Sequence, residues 1–186
     1  PDGDAPDDNP YVDVPGRHRA VFAHGFRNPQ GAAVHPETGA LWLVDHGPTG
    51  GDELNVVRAG WNYGWPVTTR GVDRDGSRIG VAQSPPGMTP PVHSWTPSIA
   101  PSGLTFYTGD RFPEWRGDAL IGALAGRKLV RLQLDGREVV GEEALLAGLD
   151  ARIRDVVQGP RGRLYLLTDA PEAELYRLSP VTPARR

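Results

Sequence analysis

Residues 31–47, GAAVHPETGALWLVDHG, decide the fold class. Two short runs rich in Ala, Val, Leu and Trp flank Pro36-Glu37-Thr38-Gly39. That linker is hairpin chemistry, because proline presets φ early in a turn and glycine tolerates the positive φ that closes one. The plan returns twice, in residues 102–126, SGLTFYTGDRFPEWRGDALIGALAG, and in residues 154–170, RDVVQGPRGRLYLLTDA. Each runs strand, Gly/Pro turn, strand, then a small or acidic residue. A further strand-like run follows each one, as DELNVV at 52–57, KLVRLQLD at 128–135 and ELYRLSP at 174–180. Repeated units of this kind with few helices predict an all-β chain built of β-propeller blades. About three units are present, too few to close a ring, so a partial propeller is expected. Its open edges would pair with further blades or with another copy.

Working outward, strands are expected at residues 19–23, 31–35, 40–45, 52–57, 103–107, 119–123, 128–134, 139–146, 153–158, 163–168 and 174–178. Residues 1–10, PDGDAPDDNP, read as an extended acidic arm. Residues 68–94 are Gly/Pro/Ser-rich with weak periodicity and read as a long surface excursion. One domain is expected to residue 180, with a frayed tail over residues 181–186. Composition agrees: 24 Gly and 19 Pro with 38% apolar residues suit a turn-rich β protein better than a helical bundle. The net charge of −3 argues against a nucleic-acid partner. No apolar run is long enough to span a bilayer. The lack of cysteine removes disulfides, thiol catalysis and Cys-ligated zinc. The sequence starts at Pro1 without Met or a signal peptide, as in a processed chain or a piece of a longer one.

Chemistry is concentrated between residues 25 and 66. Arg27 and Asn28 are adjacent donors in a Pro-Gln-Gly turn. A guanidinium fork there suits carboxylate or quinone oxygens, although it equally suits loop carbonyls. Gly47 and Pro48 offer carbonyls, and Asp52, Glu53 and the Tyr63 carbonyl offer further oxygens. Calcium accepts such mixed sets, while an Asp-Glu pair in a loop is also commonly just solvated. Arg152 and Arg154 alternate along a strand, so both guanidiniums fall on one face and favour an anion, with Asp155 as an alternative partner. The stretch WTPSIAPS, residues 95–102, either lines a flat-ligand site or serves as a turn between blades. The five histidines lack metal-binding spacing, and only His46, beside the Gly-Pro corner, is placed to reach a site. Nucleophile-elbow, phosphate-cradling and dinucleotide motifs are absent.

At FRNPQG, DHGPTGGDELN, WNYGWP and RIRDVVQGPRG the sequence resembles the soluble pyrroloquinoline-quinone (PQQ) sugar dehydrogenases, in the aldose sugar dehydrogenase branch of the glucose/sorbosone dehydrogenase family. The resemblance runs from about residue 2, where PDGDAPDDNP is similar to the family's opening motif, to about residue 178. It implies a six-bladed propeller and oxidation of aldoses to lactones, with electrons passed to an external acceptor. It implies that Arg27 and Asn28 hold the quinone, with Arg27 also stabilising charge on it. By the same resemblance Gly47 and Pro48 give carbonyls to the calcium that polarises the quinone, and Asp52, Glu53 and Tyr63 hold a second calcium. Arg152 and Arg154 match the arginines that grip the quinone carboxylates, and Ser98 falls near a residue lying against its plane. Phe26 stands where many members have His, and Ala125 where some have Lys. The family's catalytic histidine lies on an earlier blade with no counterpart here. The chain is therefore expected to be the C-terminal half of such an enzyme, with little turnover alone. A periplasmic or secreted location follows from the resemblance only. The competing expectations are a non-catalytic propeller binding module and an inactive fragment.

Overall fold

Successive side chains along a strand point to opposite faces, which gives each strand one face for either neighbouring sheet. The computed structural model describes residues 3–81 and 83–181, with eleven strands and no α-helix among them. Strands β1 (Pro29–Val34), β2 (Leu41–Asp45), β3 (Asp52–Val57) and β4 (His93–Trp95) form one antiparallel sheet. Strands β5 (Pro101–Phe106), β6 (Ala119–Ala123), β7 (Lys128–Asp135) and β8 (Glu138–Leu145) form the second. Strands β9 (Ile153–Gln158), β10 (Leu164–Thr168) and β11 (Leu175–Leu178) form the third. Spatial order follows chain order in each sheet, so each is a meander, and the three are blades I, II and III of a partial β-propeller.

Two strand expectations need correction. Residues 19–23 form no strand. Proline and glycine at Pro15 and Gly16 bring successive i→i+3 turns, with Arg17 N–H donating to Val14 O and Val21 N–H to His18 O. Only His24 bridges outward, to Asn62. The second departure is β4, hidden in the supposed surface excursion because it is three residues long and follows Pro90-Pro91. It pairs with β3, placing Asp52 opposite Trp95 and Leu54 opposite His93. The excursion is also pinned, through bridges Thr49–Val72 and Thr68–Val81, and Thr68 and Thr69 are buried. Of the tail expected at residues 181–186, Val181 is exposed, and residues 182–186 lie outside the described residues.

The blades stack through two cores. Trp42, Val44, Leu54, Trp95, Leu104 and Phe106 meet Ile121 and Leu132 between blades I and II. Tyr107, Leu120, Leu129, Ile153, Val156 and Leu166 fill the space between blades II and III. In β6, Ile121 thus faces one neighbour and Leu120 the other, as alternation demands. Each such side chain, fully buried, contributes about 1.5–3 kcal/mol.

The first strands of the blades, β1, β5 and β9, lie side by side. Ser102 Oγ donates to Ile153 O at 2.6 Å near the start of β5 and β9. A Cβ on Gly31 would lie 2.8 Å from Leu104 N, and one on Gly103 would lie 2.8 Å from the Asp155 Cα, so the glycines permit backbones to approach. At the far ends His35 meets Phe106 at 4.8 Å, and Thr108 N–H donates to Gln158 Oε1 at 2.7 Å. The three strands therefore run parallel and begin at one end of the molecule.

Candidate functional site

The segments that lead into β1, β5 and β9 carry, respectively, Arg27 and Asn28, Ser98, and Arg152 with Arg154 at the start of β9. Since those strands begin together, residues more than a hundred positions apart in sequence reach one end of the molecule. Loop 46–51, joining β2 to β3, lies at this end too, because Asp45 pairs with Pro29 in the β1–β2 ladder.

At blade I, Arg27, Gly47, Glu53 and Tyr63 line one small cavity together with Asp45 and Trp65. Its volume is about 10 Å³, enough for a single water or ion. Asp45 and Glu53 are directly opposite in the β2–β3 ladder. Like charges at opposite positions repel. Neither carboxylate is ion-paired among the described residues. Burial, reinforced by Asp45, pushes the Glu53 carboxyl up to about 7 despite a 3.1 Å hydrogen bond from Asn55 Nδ2. Burial also raises Asp45, although the backbone N–H groups of Arg27 (2.8 Å) and Asn28 (2.6 Å) donate to it. A mostly buried pair of carboxylates with no ion-pair partner among the described residues, beside a one-ion cavity, fits a hard cation. No group of three or more acidic or His side chains capable of holding a metal exists among the described residues, so backbone carbonyls would have to complete the set.

Asp52 does not join Glu53. Neighbours along a strand point to opposite faces, and the Asp52 carboxylate turns to the side of the blade I–II crossing. There it is fully buried and accepts from Gly47 N, Ser98 Oγ, Ile99 N and Ala100 N at 2.8–3.0 Å. Asp52 and Glu53, expected to act together, are thus separated, and it is Asp45 that lies opposite Glu53 across the ladder.

The Gly47 carbonyl accepts from His46 Nδ1 at 2.7 Å and from Arg27 NH1 at 3.0 Å. Because a carbonyl only accepts, the His46 proton is on Nδ1. Arg27 also donates to His46 O at 3.0 Å, and its guanidinium lies 5.4 Å over the Trp65 ring. Both readings of Arg27 therefore meet here: it satisfies loop carbonyls and it puts a positive charge at the corner. Pro48 packs beside Gly71, which has no room for a Cβ. The Asn28 side chain accepts from Gln30 Nε2 at 2.9 Å.

At blade III, Arg152 and Arg154 do fall on one face, and one carboxylate joins them. Arg152 donates through Nε and NH2 to Asp169 Oδ2, at 2.8 and 2.5 Å, and Arg154 NH2 donates to Oδ1 at 3.0 Å. Those bonds hold the Asp169 carboxyl below its usual range. Asp155, the alternative partner, instead accepts from its neighbour Val156 N. Both forks are near half exposed and keep unused N–H groups. Two guanidiniums against one carboxylate leave a positive excess that suits an anionic ligand.

Sequence reading missed Asp45 and Asp169. Asp45 had a signal: a hairpin that starts β3 at Asp52 sets Asp45 across from Glu53. Asp169 had a weaker one, since it ends the run RLYLLTD that pairs back on β9.

The Glucose / Sorbosone dehydrogenase family profile matches residues 1–177. Over 180 residues the chain is 42% identical to aldose sugar dehydrogenase YliI of Escherichia coli (strain K12), covering 96% of this chain and 48% of that protein. A crystal structure of glucose dehydrogenase superimposes with a TM-score of 0.92 at 47% identity, over 96% of this chain and 52% of that one. The PQQ-bound form of aldose sugar dehydrogenase from Streptomyces coelicolor superimposes with a TM-score of 0.72 at 28% identity, over 96% and 49%. The chain thus spans about half the length of the curated sugar dehydrogenases it matches. It belongs to the glucose/sorbosone dehydrogenase family of oxidoreductases.

Proposed function

We propose that this chain is the cofactor-anchoring part of a PQQ- and calcium-dependent dehydrogenase that oxidises aldose sugars to lactones and passes the electrons to an external acceptor. The observation that carries this reading is the convergence at one end of Arg27, Ser98, Arg152 and Arg154, brought there by three parallel inner strands. One relative whose structure holds PQQ makes that cofactor the natural occupant. When bound, the quinone supplies the acceptor for the sugar's hydride, and calcium draws electron density from it.

The residues then divide the work. Arg152 and Arg154 use their free N–H groups on the cofactor carboxylates, and their positive excess orients it. Arg27, fixed by two carbonyls and Trp65, holds a positive charge where negative charge develops. Gly47 and Pro48 would offer carbonyls to the cofactor's calcium, Gly47 by giving up a bond from His46 or Arg27, and Ser98 would face the ring. Glu53, Asp45 and the Tyr63 carbonyl hold the second cation in the small cavity. The role of base for the sugar hydroxyl is assigned to none of these side chains. No helix among the described residues is long and apolar enough to cross a membrane. A periplasmic or extracellular site of action is part of this proposal and rests on the family.

A binding module without redox chemistry is the alternative. The observation on its side is that Arg27, Arg152 and Arg154 already have protein partners, as a scaffold would require. Calorimetric titration of calcium and then PQQ into the purified chain separates the two. Calcium-dependent PQQ binding supports the dehydrogenase reading, and a folded chain that takes up calcium but no PQQ leaves the module.

A further inference from the structure

We propose that Asp52 is the positioning residue of this site: its buried carboxylate holds the Gly47 peptide and the Ser98 loop in fixed relation and ligates no cation. What Gly47 and Ser98 touch rests on the function proposed above, whereas the positioning itself rests on hydrogen bonds within the chain.

Oδ1 accepts from Gly47 N–H at 2.9 Å, and Oδ2 accepts from Ile99 N–H at 2.8 Å and Ala100 N–H at 3.0 Å. The Ser98 hydroxyl sits between both oxygens at 3.0 and 2.8 Å. One carboxylate on β3 of blade I therefore fixes the loop preceding β3 and the segment entering blade II. The tie extends further, because Ile99 O accepts from Ala125 N at 3.0 Å and Gly126 N at 2.9 Å, in the β6–β7 turn. Ala100 has φ of 51°, a conformation that residues with a Cβ resist, and Ala100 N is bonded to both Asp52 and Ser98 Oγ. Strain is kept at this crossing by the carboxylate. Asp52 is fully buried with its lone pairs committed, so a cation would have to displace peptide donors to reach it. Gly47 is pinned at its other end too, through His46 Nδ1 on its carbonyl. Gly47 is thereby held at both its N–H and its carbonyl, in the two peptide units that flank its Cα.

The test uses the purified chain and three variants, Asp52→Asn, Ser98→Ala and Glu53→Gln, read by amide hydrogen exchange and by titration with calcium and with PQQ. In Asp52→Asn an amide replaces one acceptor oxygen. The amides of Gly47, Ile99 and Ala100 should then exchange about tenfold faster or more, while those of β6 and β10 keep their protection. Calcium affinity of the Asp45–Glu53 cavity, titrated without PQQ, should stay within about twofold and PQQ affinity fall about tenfold, whereas Glu53→Gln should lose that calcium affinity first. Ser98→Ala keeps all three backbone N–H hydrogen bonds to Asp52, so it should retain Gly47 protection and lose only about threefold in PQQ affinity. If Asp52→Asn does not fold, Ser98→Ala decides: unchanged PQQ affinity with unchanged Ala100 exchange would overturn the proposal. So would an Asp52→Asn variant that loses calcium as Glu53→Gln does, or that keeps all three amides protected. Should the wild-type chain take up no PQQ, the proposed function fails, and the amide pattern with the calcium comparison decides the role of Asp52 alone.

Discussion

The leads into blades I and III both present arginine beside carboxylate, yet they are built on different physics. At blade I the carboxylates of Asp45 and Asp52 are buried and that of Glu53 is partly so, while Arg27 is exposed. Asp45 and Asp52 together take five backbone N–H groups and a hydroxyl besides, and Glu53 faces Asp45 without an ion-pair partner among the described residues. At blade III, Arg152, Arg154 and Asp169 remain solvent-accessible and touch one another rather than the backbone frame. Buried groups with committed partners are costly to disturb, while exposed ion pairs contribute little and are screened by salt. The difference teaches that one site can place its geometry in one blade and its net charge in another. Damage at blade I should therefore unfold, and damage at blade III should only unbind.

The largest break is expected at Asp52. Asp52→Ala leaves the N–H groups of Gly47, Ile99 and Ala100 buried without an acceptor and should cost about 3–5 kcal/mol, read as a lower urea midpoint. Next is the joint between the inner strands. Gly103→Ala forces a methyl against the Asp155 backbone between blades II and III and should cost about 2–3 kcal/mol by the same measurement, with the strands spreading. Gly136→Ala, at a hairpin tip with positive φ and open space around it, is a suitable control with a loss of about 1 kcal/mol.

Glu53 sharpens the comparison through pH. Its carboxyl titrates at about 7 in the fold against an ordinary value of 4.5. The fold therefore binds this proton more tightly, and the associated stability is complete below 4.5 and lost as pH rises through about 7. The loss is about 3 kcal/mol in chelator, and a cation held by Asp45 and Glu53 should remove it. Glu53→Gln should flatten the profile. Urea titrations at several pH values, with chelator and with calcium, check all three outcomes, and a profile indifferent to calcium would place the cation elsewhere.

The smallest effect on stability is expected at blade III. The Arg152→Ala/Arg154→Ala double variant should change the urea midpoint by under about 1 kcal/mol. Its PQQ affinity should nonetheless fall tenfold or more, and the remaining binding should depend less steeply on salt, by about two bonds' worth of charge-assisted contact. A large loss of stability there would erase the contrast between the blades.

Much of this contrast was legible in the sequence, and the limits are instructive. Hairpin chemistry repeated at PETG and QGPRG located blades I and III, because turn residues act locally. The glycine- and proline-rich corner marked Arg27, Gly47, Glu53 and Tyr63, which do line one cavity. Asp52 and Glu53 were grouped as neighbours in sequence, whereas strand alternation separates them and the β2–β3 register supplies Asp45 instead. Strand β4 escaped because three residues carry too little periodicity, and its place is fixed by pairing with β3 rather than by propensity. Asp169 escaped because its partners arrive from another strand. What was lost in each case is a non-local contact.

The most direct measurement is a crystal structure of the chain grown with calcium and PQQ. The account predicts PQQ density at the common start of β1, β5 and β9, touching Arg27 and the Arg152–Arg154 pair together, with a separate ion between Asp45 and Glu53. PQQ bound away from that end, or in contact with only one of the two blades, would contradict it.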